Sequence, residues 1–148
     1  MIPFVNLAAQ HIEIERELTD AFSTVLRESN LIAGEQLTAF EVEFAEFCGV
    51  KHCVGVGNGL GALALTLRAK GIGPGVEVIV PGSTFIATWL AVSMVGANIV
   101  PVTVDPDTVL LCPRAVENAI TARTAAIIPV HLYGQAVERG PIMAIARA

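Results

Sequence analysis

Between residues 53 and 130 the chain alternates short, wholly apolar runs with stretches of helical period, and that alternation leaves few folds open. The runs are Cys53-Val54-Gly55-Val56, Val78-Ile79-Val80 behind Glu77, Ile99 to Val104, and Ala125 to Val130. Each is bounded by Gly, Pro or a polar residue and is too short for a helix. Such runs read as strands covered on both sides, as in a parallel sheet lying under helices. Between them come helical stretches at 59–69, 84–95 and 113–120. A strand–helix repeat of this kind predicts an α/β fold with a largely parallel sheet and flanking helices.

Two helices are expected before the repeat begins. In 11–28, Ile14, Leu18, Ala21, Phe22, Val25 and Leu26 recur at helical spacing among Glu and Arg. Asn30 and Gly34 interrupt the pattern. A second helix is expected over 36–47, with Leu37, Phe40, Phe44 and Phe47 on one side and Gly49 as its stop. Thr84 is placed to cap the helix over 84–95. Pro113 suits a first helical turn, where its missing N–H costs nothing. Pro101 removes a ladder donor, so its strand should lie at an edge or be irregular. The stretch 139–148 reads as one more helix, running uncapped to Ala148 as though the chain were cut there.

Composition narrows the function classes. Hydrophobic residues make up 53% of the 148 and charged residues 16%. That is too apolar for disorder, and the excess implies strands buried on both faces or apolar surface that meets a partner. No apolar run approaches the ~18–20 residues of a membrane span. Met1-Ile2-Pro3-Phe4 has none of the parts of a secretory leader, so a cytoplasmic protein is expected. The net charge is −5, and the nine basic residues are scattered singly, a distribution unsuited to gripping nucleic acid. Cys48, Cys53 and Cys112 are odd in number and lack metal spacing. They read as buried small hydrophobes, and no metal site is expected.

The chemistry concentrates in Gly55-Val56-Gly57-Asn58-Gly59-Leu60-Gly61-Ala62, between an expected strand and an expected helix. Glycines let the backbone turn and approach a ligand, and the free N–H groups at a helix start favour an anion, most often phosphate. Three readings are open on these residues. The loop could be a turn without a ligand. Gly57-x-Gly59-x-x-Ala62 also fits the dinucleotide fingerprint, with Glu77 at about the separation of the ribose-binding acid. Glu77, however, begins its strand instead of ending it, and two helices before the first strand are unusual for that fold.

The third reading joins the loop to the rest of the chain. Gly57-Asn58-Gly59, Gly71-Ile72-Gly73-Pro74-Gly75, Glu77-Val78-Ile79-Val80-Pro81 and Thr84-Phe85-Ile86-Ala87-Thr88 follow one another in order. After them come Val104-Asp105-Pro106-Asp107-Thr108 and Ile127-Ile128-Pro129-Val130-His131-Leu132-Tyr133-Gly134-Gln135. Together they resemble the DegT/DnrJ/EryC1/StrS sugar aminotransferases, which are pyridoxal-phosphate (PLP) enzymes of fold type I. Ile2-Pro3-Phe4 and Ile32-Ala33-Gly34 resemble the family's opening, so the likeness spans essentially the whole chain. It implies that residues 1–148 are the N-terminal portion of the PLP-binding large domain, with the C-terminal domain absent.

The resemblance implies roles residue by residue. The loop matching Asn58, Gly59 and Leu60 would bind the PLP phosphate through backbone N–H groups. Phe85 matches the aromatic residue that stacks on the pyridine ring; on its own it could equally be core. Trp89 reads as packing. His131 and Gln135 would lie in a turn beside the cofactor site, although a lone His there is more often structural. Tyr133 carries no assignment. The family usually has Thr or Ser where this chain has Leu60, Asp at Thr103, an acidic or polar residue near Cys112 and a bulky apolar residue near Pro101. The missing hydroxyl at Leu60 should weaken cofactor binding.

The resemblance also implies a function and its limits. Relatives of this kind move an amino group, typically from glutamate, to a keto group on a nucleotide-linked deoxysugar, in amino-sugar and polysaccharide biosynthesis. They are dimers with active sites at the subunit interface. The chemistry needs a lysine that holds PLP as a Schiff base and a carboxylate on the pyridinium nitrogen, and the resemblance places both beyond Ala148. Of the two lysines here, Lys51 precedes the first expected strand and Lys70 closes the helix at the end away from the phosphate. No catalytic residue is therefore expected in these 148 residues. Weak or absent PLP binding, self-association or pairing with a complementing chain, and no independent turnover are the corresponding expectations.

Overall fold

Asn6 opens the first helix: its side chain accepts the amide hydrogen of Ala9 at 3.4 Å, and helix α1 runs Leu7–Glu28. The computed structural model describes Pro3 and residues 5–148, so the family-like Ile2 and Phe4 lie outside the described residues. The expected start at residue 11 is four residues late, because the sequence pattern weighs apolar spacing and overlooks the Asn cap. Ser29, in the left-handed conformation, ends α1. Helix α2 spans Glu35–Phe47, and Gly49 follows at φ +64°, the conformation its lack of Cβ permits.

These two helices belong to a compact unit, Met1–Gly55, and the rest of the chain forms a second, Val56–Ala148. In the first unit the apolar rows are not covered. No residue of α1 is buried, and Phe40, Phe44 and Phe47 of α2 are exposed. Phe40 and Phe44 stack with ring centroids 5.3 Å apart. The strand expected at Cys53-Val54-Gly55-Val56 does not form. A strand exists only by pairing, and here the Gly55 N–H is donated to the Glu41 carboxylate at 2.6 Å.

The second unit is the α/β fold read from the sequence. Helix α3 is Gly59–Ala69, strand β1 Glu77–Pro81, helix α4 Ala87–Met94 and strand β2 Asn98–Val102. Helix α5 is Pro113–Ala119, strand β3 Thr124–Ile127 and helix α6 Arg139–Ile145. The three strands pair in parallel in the order β2-β1-β3. The central strand is buried along its whole length. Its side chains alternate as a pleat requires. Val78 and Val80 pack with Ala64 and Leu67 of α3 and Ala91 and Val92 of α4. Ile79 packs on the other side with Val116 of α5 and Ile142 of α6. Helices therefore cover both faces of the sheet, which accounts for much of the apolar excess. Pro101 pairs opposite Val80 on β2, an edge strand, as its missing donor demands.

Several boundaries differ from expectation. Helix α4 begins at Ala87, and Thr84 does not cap it: its hydroxyl meets that of Thr88 at 3.0 Å and no backbone amide. Strand β3 stops at Ile127 and is half-buried, since one of its sides has no further strand and Pro129 brings no N–H. Helix α6 ends at Ile145, with Ala146 as its cap, short of Ala148. The cysteines are not core residues. Cys48 is exposed, and Cys53 and Cys112 are half-buried. Cys48 and Cys112 fall at helix caps. No helix of the described residues is long and apolar enough to cross a membrane. Among those residues no three or more His, Cys, Asp or Glu side chains are grouped to hold a metal ion.

Candidate functional site

The first turn of α3 carries the site's donors. Asn58 is the N-cap, extended at φ −170°, ψ 172°. Its Oδ1 accepts the Gly61 N–H at 2.8 Å, and its carbonyl accepts the Ala62 N–H at 3.0 Å. The Ala62 bond is the first of the helix itself, and of the four amides that a helix start leaves over the side chain satisfies that of Gly61. Those of Gly59 and Leu60 have no acceptor among the described residues. An anion placed there would meet two N–H donors at the positive end of an eleven-residue helix. A Cβ added at Gly57 or Gly59 would meet nothing within 4 Å, so space lies open beside these residues.

That space is part of a cleft of about 710 Å³ beyond the carboxyl ends of β1 and β3, where open parallel sheets gather ligand groups. Asn58, Gly59 and Leu60 line it together with Thr84, Phe85 and Thr88. The chain brings Val130 and Leu132 to it from the segment after β3. Phe85 is 74% exposed, so ordinary core packing does not explain it. Trp89, by contrast, packs on the core of α3, α4 and β1, as expected. No Lys, Arg or His side chain lines the cleft; its walls are apolar apart from the Asn58 side chain, the free amides and the Thr84–Thr88 pair. These features suit a flat group with a phosphate at one end.

His131 and Gln135 do not join this cleft. His131 Nδ1 accepts the Val137 N–H at 3.0 Å, which ties down the loop leading to α6 and leaves the proton on Nε2. Gln135 lines a separate hollow with Asp105, Thr108 and Glu138. Between them Tyr133 adopts φ +56° and is 89% exposed. Sequence reasoning named the neighbours of the wall and missed the wall itself, Val130 and Leu132, because apolar residues in a loop carry no signal of their own.

Glu77, the acid of the dinucleotide reading, is engaged elsewhere. Its carboxylate accepts from the Thr121 hydroxyl at 2.6 Å and from Arg123 Nε at 3.0 Å. The Thr121 bond, then that of Arg123, holds its pKa below the ordinary value, against the opposing effect of burial. It begins β1, whereas the cleft lies past that strand's other end. Its engagement with Thr121 and Arg123 does not suit the ribose-binding role that the dinucleotide reading would give it. Asp105 is likewise held below its ordinary pKa, by bonds from the Thr108 amide and hydroxyl. It shapes the turn after β2.

Comparison with known proteins decides the family. Residues 12–148 match the model of the DegT/DnrJ/EryC1/StrS aminotransferase family. The chain belongs to this family. DegT/DnrJ/EryC1/StrS relatives include the erythromycin biosynthesis sensory transduction protein EryC1 of Saccharopolyspora erythraea, 51% identical over 98% of this chain and 40% of its own length. The dTDP-3-amino-3,4,6-trideoxy-alpha-D-glucose transaminase of Streptomyces venezuelae is 47% identical over 98% of this chain and 38% of that protein. The crystal structure of S. venezuelae DesV superposes with a TM-score of 0.95 at 46% identity, covering 99% of this chain and 39% of that one. NtdA of Bacillus subtilis, solved with bound cofactor PMP, gives 0.90 at 30% identity, covering 99% and 34%. The fold is thus that of PLP-dependent aminotransferases, and the chain spans about 40% of the length of the curated relatives it matches.

Proposed function

We propose that the 148 residues are the N-terminal portion of the PLP-binding large domain of a sugar aminotransferase. Its acceptor would be a nucleotide-linked keto-deoxysugar and its amino donor glutamate. The observation that carries this is the sharing of one cleft by the two open amides of Gly59 and Leu60 and the exposed ring of Phe85. When bound, PLP supplies an electron-accepting ring through which an amino group can pass from donor to acceptor. The chain's own residues would hold and orient it. The amides of Gly59 and Leu60 take the phosphate, Asn58 keeps the helix start in shape for them, and Phe85 lies against the ring. Leu60 offers no hydroxyl, so binding rests on the backbone and is weak. His131 and Gln135 act at most from outside the cleft.

The names of relatives support the substrate class. Besides the S. venezuelae transaminase, they include a UDP-2-acetamido-2-deoxy-3-oxo-D-glucuronate aminotransferase of Pseudomonas aeruginosa, 44% identical over 99% of this chain. The same reading gives the isolated 148 residues no turnover. Lys70 lies at the far end of α3 from Asn58, about 18 Å away at the rise of an α-helix, and Lys51 belongs to the N-terminal unit. A complementing chain that carries the Schiff-base lysine would be needed for turnover. The three unpaired cysteines suit a reducing, cytoplasmic setting.

The test is a titration of the purified chain with PLP and with inorganic phosphate. An assay with PLP, glutamate and keto-sugar nucleotides accompanies it. Saturable binding competed by phosphate, without turnover, is expected. Sustained turnover with borohydride fixing PLP on Lys51 or Lys70 would overturn the reading of the lysines. Absence of any binding would overturn the reading of the cleft in this chain.

A further inference from the structure

The link between β1 and α4 carries Phe85, and its own composition does little to stiffen it. Gly82, Ser83 and Thr84 lead in, and Phe85 and Ile86 are both exposed, so the ring is not held by packing. Helix α4 has no side-chain cap to fix its entry. The link is nevertheless tied at three points. The Gly82 N–H donates to the Val102 carbonyl at 2.8 Å, an approach so close that a Cβ on Gly82 would stand 3.1 Å from that oxygen. The other two ties come from adjacent residues in the first turn of α4. Trp89 Nε1 donates to the Pro81 carbonyl at 3.0 Å, and the Thr88 and Thr84 hydroxyls meet at 3.0 Å. Both anchors are firm, since Thr88 is buried and Trp89 packs on the core.

We propose that Thr88 and Trp89 are positioning residues, which clamp the Pro81–Ala87 link and so set the angle at which Phe85 meets a ring bound in the cleft. The inference rests on the PLP reading given above. Its physical reason is entropic. A ring on a loose link must be ordered when it stacks, and that cost is subtracted from affinity. A link clamped in advance has already met it. Phosphate alone touches the α3 amides and gains nothing from the clamp, so the clamp should matter for PLP and not for phosphate.

Three variants test this. Thr88→Val keeps the branched shape and removes the hydroxyl, Thr88→Ser keeps the hydroxyl, and Trp89→Phe keeps an aromatic ring and removes the donor. Loss of one such hydrogen bond should weaken PLP binding about threefold to tenfold in Thr88→Val and Trp89→Phe, with a reduced induced circular dichroism of the bound cofactor. Phosphate affinity should stay at the wild-type value, and Thr88→Ser should restore PLP binding. Amide hydrogen exchange over residues 82–86, measured without ligand, should quicken in the first two variants and not in Thr88→Ser. Equal weakening of PLP and phosphate would mean general damage and overturn the proposal. So would wild-type PLP binding or unchanged loop exchange in Thr88→Val. A wild-type chain that binds no PLP at all would sink the cofactor reading, and this inference with it; full PLP binding by Thr88→Val sinks this inference alone.

Discussion

Asn58 Oδ1 holds the amide of Gly61 at 2.8 Å and thereby leaves the amides of Gly59 and Leu60 as the helix's unspent donors. The cap and the anion site are thus separable by substitution. Asn58→Ala removes the cap and should cost about 1 kcal/mol of stability, with weaker phosphate binding as the first turn frays. Asn58→Asp preserves an acceptor for Gly61 and adds a negative charge beside the anion. It should keep wild-type thermal stability and lose phosphate and PLP binding. Equal anion binding by Asn58→Asp and wild type would place the site elsewhere.

Gly59→Val tests the space in front of the same amides. From the sequence alone, a side chain at a glycine of this turn is expected to crowd both the anion and the backbone. The structure corrects half of that, because a Cβ at Gly59 meets nothing within 4 Å. Folding should be preserved, since replacing glycine in a helix is not penalised by propensity. Anion binding should disappear, because the isopropyl group enters the cleft. A circular dichroism melt paired with a phosphate titration separates the two effects.

Leu60→Thr supplies the hydroxyl that the family usually carries at this position. It should tighten PLP binding by about threefold to tenfold, the worth of one hydrogen bond to a charged acceptor net of desolvation. Leu60 also packs against the core of α3 and β1, so a modest loss of melting temperature should accompany the gain. Unaltered PLP affinity would show that position 60 does not reach the phosphate.

Glu77 gives the second unit a defined acid sensitivity. Its pKa is lowered in the folded chain, first by the Thr121 hydroxyl and then by Arg123. A depressed carboxylate pKa contributes stability that is fully present above the unfolded value, about 4.3, and is lost as pH falls through the folded value. Melting midpoints of wild type should therefore drop on acidification through that window. Glu77→Gln should start lower at neutral pH and fall less steeply. Parallel curves for the two proteins would mean that another group governs the acid transition.

Self-association is expected from the exposed apolar rows. Leu18, Phe22 and Leu26 of α1 and Phe40, Phe44 and Phe47 of α2 are all exposed, and such contiguous patches mark interaction surfaces. Both edge strands of the sheet also present unpaired backbone groups. Size exclusion with light scattering should show assembly that grows with concentration. Phe22→Glu combined with Phe44→Glu should shift it toward monomer. A sharp monomer at every concentration, unfolding cooperatively, would overturn the expectation.

The local period of the chain decided much by itself. Apolar runs of three or four residues cannot be helices in a domain this apolar, and parallel strands under helices are what satisfies them on both sides. Helix α3 came out at the residues its pattern marked, and Pro101 at a sheet edge, because propensity, glycine placement and the missing N–H act over neighbouring residues. The open amides at the start of α3 were legible for the same reason: they are a property of one helix start. What only the tertiary structure decided depends on partners distant in sequence. Cys53 to Val56 has strand composition and forms no strand among the described residues. Thr84 looks like a cap and instead bonds the Thr88 hydroxyl one turn on. Which backbone group His131 serves, the Val137 amide, depends on the fold of the loop after β3. The cleft walls, Val130 and Leu132, are ordinary apolar residues that become part of a site only when β3 ends beside α3. A residue's chemistry is written in its type, but its partner is chosen by the packing of the sheet.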